Sequence, residues 1–192
     1  MKLQLREMIM IGIFAALMVV GAKISIPTPF GVPITFQLFF SIYAGLLLGA
    51  KAGFLSQIIY MLLGLIGLPV FTVGGGFSYV FNPTFGYIIG FAIAALIVGL
   101  MTERTNKLNF VNILGIAVIG FLADYIIGNV YLYFIKDLYI NKPIPLFSIF
   151  KSMAPFMVKD LILIAVAAYT STVIIPVLRK SGMIKNTVIV DK

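Results

Sequence analysis

Long apolar runs alternate with short polar or Gly/Pro-rich breaks along the whole chain. Judged against the roughly 20 residues a helix needs to cross a hydrocarbon core, the runs predict six spans: Met8–Ser25, Thr35–Ala50, Ala52–Leu68, Thr84–Met101, Val111–Ile135 and Met153–Leu178. The breakers fall between them, with Pro27, Pro29 and Pro33 in one connection, Pro69 to Pro83 in another, and Pro143 and Pro145 in a third. Spans two and three are separated only by the Gly49–Gly53 corner, which predicts a tight helical hairpin. No charge occurs from Gly53 through Met101, although this stretch contains a glycine-rich break. The expected architecture is an all-α integral membrane protein, one domain over residues 1–192.

Composition supports that class. Of 192 residues 61% are hydrophobic and 10% charged, too few polar groups for a water-soluble surface. The N-terminal segment MKLQLREMIMIGIFAALMVVGAK begins basic like a signal peptide, but its apolar run has no small-residue cleavage pattern and reads as a retained first helix. The absence of His, Cys and Trp removes the commonest metal ligands, thiol chemistry and imidazole acid–base work, so no metal or cofactor is expected. The net charge of +8 is distributed as short-loop topology signals. With both termini cytoplasmic, Lys2, Arg6, Lys51, Arg104, Lys107, Arg179, Lys180, Lys185 and Lys192 lie inside, against Lys23, Lys136, Lys142, Lys151 and Lys159 outside, which favours N-in/C-in. That pattern suits a lipid bilayer with anionic headgroups. Without a basic cluster interleaved with aromatics in a soluble segment, it argues against a nucleic-acid partner.

On this topology the connections Ser25–Ile34, Leu68–Pro83 and Lys136–Lys151 face outward and should cover a polar cavity. In LPVFTVGGGFSYVFNP, Gly74 to Gly76 allow close backbone approach to a ligand, and Phe71, Tyr79 and their aromatic neighbours supply flat apolar walls. A surface loop with interfacial aromatics is the competing reading. Lys159, Asp160 and Asp124 are charges placed well inside their spans. Each costs about 2.5–3.5 kcal/mol at the bilayer centre unless paired or facing a cavity. Asp160 either binds ligand donors or is neutralised by Lys159, a pairing disfavoured by the roughly 100° between adjacent helical residues. Asp124, flanked by Gly120 and Gly128 at four-residue spacing, is expected to make an interhelical hydrogen bond rather than a ligand contact. On the first span Gly12 and Ala16 form a small-xxx-small face, with Ala15 and Ala22 on adjoining stripes, where another helix can approach.

VPITFQ, the GLLLG corner, YMLLGLIGLPVF, NPTFGYIIGF and the late PFMVKDL resemble BioY, the family of biotin-binding S components of bacterial energy-coupling factor (ECF) transporters. The resemblance runs from about Gly12 to Ala168. It implies a six-helix S-component fold in the bacterial cell membrane that captures biotin from outside. Uptake then needs a transmembrane coupling subunit and two ATP-hydrolysing subunits, contacted through first-helix alanines, here Ala15 and Ala16. The chain itself would not be an enzyme, and it contains no P-loop. Carried onto this sequence, Asp160 would accept ureido N–H donors and Lys159 would neutralise the ligand carboxylate. Phe71, Tyr79 and Tyr87 would wall the apolar middle, with Gln37, Asn82 and Gly74 completing the site. The family pattern Pro-Phe, three residues, Asp-Leu-x-Lys is matched by Pro155, Phe156 and Asp160, but Leu163 stands where lysine is usual, and Lys159 lies one turn, about 5.4 Å, away on the same stripe. Asn82 also occupies a position often glycine in the family. These departures leave lipoate or a biotin precursor as alternative carboxylated ligands. A membrane assembly protein would instead show no saturable ligand binding. An embedded enzyme would have only Asp124 and Asp160 as its carboxylate pair, with no nucleophile–base pair.

Overall fold

The computed structural model describes residues 4–28, 32–105, 108–141 and 143–183. Pro29, Lys2, Lys107, Lys142, Lys185 and Lys192, which entered the connection and topology arguments, lie outside them. The helices are α1 (Leu5–Lys23), α2 (Gln37–Leu65), α3 (Phe85–Arg104), α4 (Phe110–Phe134) and α5 (Leu146–Lys180). A 3₁₀ turn, Phe77–Phe81, interrupts the second connection, and a π-helical turn, Ile135–Tyr139, continues α4. All five helices are long and apolar enough to cross a membrane.

Five such helices stand where the apolar runs predict six, because the second and third runs share one hydrogen-bonded element. Its backbone breaks at Gly49, with φ 80° and ψ −176°. That left-handed φ is one a side chain would resist, and glycine adopts it freely. The chain doubles back there: Gln37 Nε2 donates to Tyr60 Oη at 2.8 Å, although the two residues would lie about 34 Å apart on a straight helix. Gly53 packs against Ala44 and Gly45 across the bend. Glu103, at the end of α3, secures the corner by accepting from the Ala50 N–H at 2.9 Å. It serves as an N-cap for the second limb, which has no cap of its own.

The last helix starts at Leu146 rather than near Met153, so the third connection is shorter than expected. Pro145 precedes the first helical residue, where a missing N–H is harmless, and Ile149 and Met153 then bury one stripe while Lys151 is exposed. Pro155 and Pro176 remain inside α5, as intramembrane helices tolerate. Asn109 caps α4 by accepting from the Asn112 N–H at 2.9 Å.

Small residues determine how closely the helices approach. A Cβ on Gly99 would overlap the backbone at Ala50, one on Gly45 would meet the Ala95 carbonyl, and one on Gly128 would overlap the Tyr87 ring. Such contacts replace the hydrophobic driving force that lipid does not supply. Met18, Ile42, Phe121 and Ile164 fill the interior between them.

On α1 the structure divides the predicted small face. Ala15 and Ala22 are buried in the bundle, whereas Gly12 and Ala16 are exposed. Ala15 therefore cannot present its side chain to a partner subunit in this arrangement, since neighbouring positions on a helix point about 100° apart. Arg6 donates to the Gly182 carbonyl at 3.2 Å, placing the start of α1 and the end of α5 at the same end of the bundle.

Candidate functional site

The described residues of the connection 24–36, which are 24–28 and 32–36, and the connection 66–84 are held by backbone hydrogen bonds. Ile26 and Ile34 exchange backbone hydrogen bonds of 2.9 Å, and Phe71 N donates to Gly74 O at 3.1 Å. Two lysines fasten these connections to helices. Lys23, ending α1, donates to the Phe71 carbonyl at 2.9 Å, and Lys159 of α5 donates to the Thr35 carbonyl at 2.6 Å.

Beneath them lies a cavity that, with its open mouth included, occupies about 570 Å³. Its wall joins Thr35 and Gln37 to Tyr79, Tyr87, Asp124, Tyr125, Lys159 and Asp160, with Leu38, Phe91, Met153 and Phe156 among its apolar members. The structure thus brings together Gln37, Tyr79, Tyr87, Lys159 and Asp160 of the predicted site. It does not bring Phe71, Asn82 or Gly74 to the cavity wall.

Each of those three has another place. Phe71 is fully buried, its ring packed over Gly64 and 4.4 Å from the Tyr79 centroid, so it backs the wall instead of forming it. Asn82 Oδ1 accepts from the Thr84 N–H at 3.0 Å and from Thr84 Oγ1 at 2.8 Å. It orders Thr84, which lines the cavity 3.1 Å from Tyr79 Oη. Gly74 has φ 81° and turns the connection, while Thr72 from the same segment reaches the cavity. Burial raises the Tyr79 phenol above its ordinary pKa, so it stays protonated and keeps its hydrogen-bonding capacity.

The charged groups also depart from expectation. Lys159 Nζ lies 2.6 Å from Asp160 Oδ1, forming the adjacent pair that helix geometry disfavours. Lysine's flexible four-carbon stem overcomes the angular offset. Asp160 Oδ2 accepts from Tyr125 Oη at 2.7 Å. Asp124 makes no interhelical hydrogen bond through Oδ1, which is buried and unpartnered among the described residues. It faces α3 at Gly90 and belongs to the cavity wall.

Sequence reasoning missed Tyr125, Thr35, Thr72 and Thr84 as lining residues. Tyr125 carried a usable signal, since a phenol one residue from a buried acid in an apolar helix needs a polar partner. The threonines carried none, because a hydroxyl in a connection is ordinary.

The family model described as the BioY family matches residues 1–180. The chain belongs to the BioY family. It is 47% identical over 135 residues to a probable biotin transporter BioY of Lysinibacillus sphaericus, covering 70% of this chain and 68% of that relative. The biotin transporter BioY of Thermotoga maritima is 38% identical over 165 residues, covering 85% of this chain and 92% of the relative. Among solved structures, the S component for biotin from an ECF-type ABC transporter superposes with a TM-score of 0.78 at 28% identity, covering 91% of this chain and 90% of that one. The resemblance read from the motifs is therefore that of a true BioY member, with the S-component fold.

Proposed function

We propose that this chain is the biotin-binding S component of an ECF-type importer, a single multi-pass domain of the bacterial cell membrane that binds its vitamin without chemically transforming it. The observation that carries the reading is the convergence, in a BioY-family chain, of Lys159, Asp160, Tyr87 and Gln37 on one cavity. A ligand with N–H donors at one end, an apolar middle and a carboxylate matches that wall. Asp160 accepts from the donors, Tyr79 and Tyr87 flank the middle, and Lys159 is the cation available to the carboxylate. Occupation would then redistribute Lys159 among Asp160, the Thr35 carbonyl and the ligand.

Six crossings, counting both limbs of α2, with both termini cytoplasmic, place the cavity mouth outside. The shared end of α1 and α5 supports the termini being on one side. The exposed Gly12 and Ala16 offer α1 as the docking face for the coupling subunit, which the two ATPase subunits energise.

Leu163 in place of the usual lysine supports one second reading, a different carboxylated ligand such as lipoate or a biotin precursor. The deciding experiment is mass identification of the ligand retained by the purified protein, followed by titration with that compound. Retained biotin that rebinds saturably supports the assignment; retention of another carboxylated molecule with no biotin binding overturns it.

A further inference from the structure

Asp124 stands apart from the other charged groups of the cavity. Asp160 Oδ1 accepts no hydrogen bond among the described residues but is ion-paired with Lys159 at 2.6 Å, and its Oδ2 accepts from Tyr125 at 2.7 Å. Asp124 is 1% exposed, lines the same cavity, and has no hydrogen-bond partner for Oδ1 among the described residues. Gly90 makes room for it, because a Cβ at that position would overlap the carboxylate. A buried acceptor without a donor is costly, and such groups are nearly always satisfied. Oδ1 packs against Gly90 of α3, and the place of Asp124 in the cavity wall makes the cavity a side from which a ligand donor can reach its carboxylate.

The polar end of the cavity is thus rich in acceptors. Two acidic side chains and a single ammonium, that of Lys159, line the cavity among the described residues, an arrangement suited to a donor-bearing ligand head and hostile to a second anion at that end. Biotin's ureido ring presents two N–H bonds that flank its carbonyl and diverge, so one carboxylate cannot align with both. We propose that Asp124 is a second ligand-binding carboxylate, and that Asp160 and Asp124 each accept one ureido N–H. This rests on the biotin reading above and adds to it a determinant on α4, in a role the helix pattern assigned to packing.

The test compares biotin with each of the two mono-N-methylated biotins on the wild-type protein and on Asp124→Leu. On the wild type, each methylation removes one charge-assisted hydrogen bond and should weaken binding by roughly tenfold or more. In Asp124→Leu biotin itself should weaken similarly, and one isomer, and only one, should lose its penalty relative to biotin. Affinity ratios within one preparation do not depend on the fraction of folded protein. If Asp124→Leu does not fold, Asp124→Asn, which keeps the side-chain shape and removes the charge, is put through the same comparison and should likewise reduce the penalty of one isomer. Either an isomer that binds wild type as tightly as biotin does, or two penalties unchanged in Asp124→Leu, overturns the role of Asp124 while leaving the biotin site in place. Absence of biotin binding to the wild type overturns both readings.

Discussion

The two ends of the bundle use charge in opposite ways. At the end holding the Gly49 corner, Glu103 accepts from the Ala50 N–H and Arg6 donates to the Gly182 carbonyl, so these two charged side chains complete helix termini. At the cavity end, Lys159, Asp160 and Asp124 line an open space, and Asp124 keeps an acceptor unfilled. Substitutions at the first end should therefore alter stability without altering affinity, and substitutions at the second should do the reverse.

The largest effect is expected from Asp160→Asn, which removes the anion shared by Lys159 and Tyr125. Biotin affinity should fall roughly ten- to a hundredfold, the loss of a charge-assisted hydrogen bond, as read by calorimetry. A Lys159→Met protein should show a similar loss for biotin but little for biotinamide, whose neutral end does not need the ammonium. Equal losses for acid and amide would assign Lys159 to holding Thr35 and Asp160 alone. At the opposite end, Gly49→Ala forces a side chain into the left-handed region and against Glu103, and should lower stability by about 1–2 kcal/mol with unchanged biotin affinity. Glu103→Ala removes the cap and should lower stability by about 1 kcal/mol, again without a change in affinity. A thermal-unfolding series with parallel titrations checks both. Ala16→Leu alters an exposed face, so the isolated protein should bind biotin as wild type while its co-purification with the coupling subunit is lost. Retained assembly would move the docking face elsewhere.

Much of this contrast was legible in the chain. Apolar runs and proline breaks located the helices, and depth in an apolar span singled out Asp160 and Lys159, because a charge there needs a partner or a cavity. The Gly49–Gly53 spacing foretold the reversal. Rotational facts were less accessible: Ala15 and Ala16 are adjacent and both small, yet one is buried and one exposed, and no hydrophobic contrast separates the sides of a helix whose outer face meets lipid. The same ambiguity hid Asp124's membership of the cavity, since its flanking glycines indicate close packing equally well. Lysine flexibility made the Lys159–Asp160 pair unreadable from spacing, and the early start of α5 followed from Pro145 acting as an initiator rather than a break.

The central claim is that the cavity beneath connections 24–36 and 66–84 is the biotin site and that Asp160 is one of its binding groups. Calorimetric titration of the purified full chain with biotin, wild type beside Asp160→Asn, tests it most directly. The account predicts saturable binding to one site per chain in the wild type and at least roughly tenfold weaker binding in the variant, with both proteins monodisperse. Biotin affinity unchanged by Asp160→Asn would contradict it.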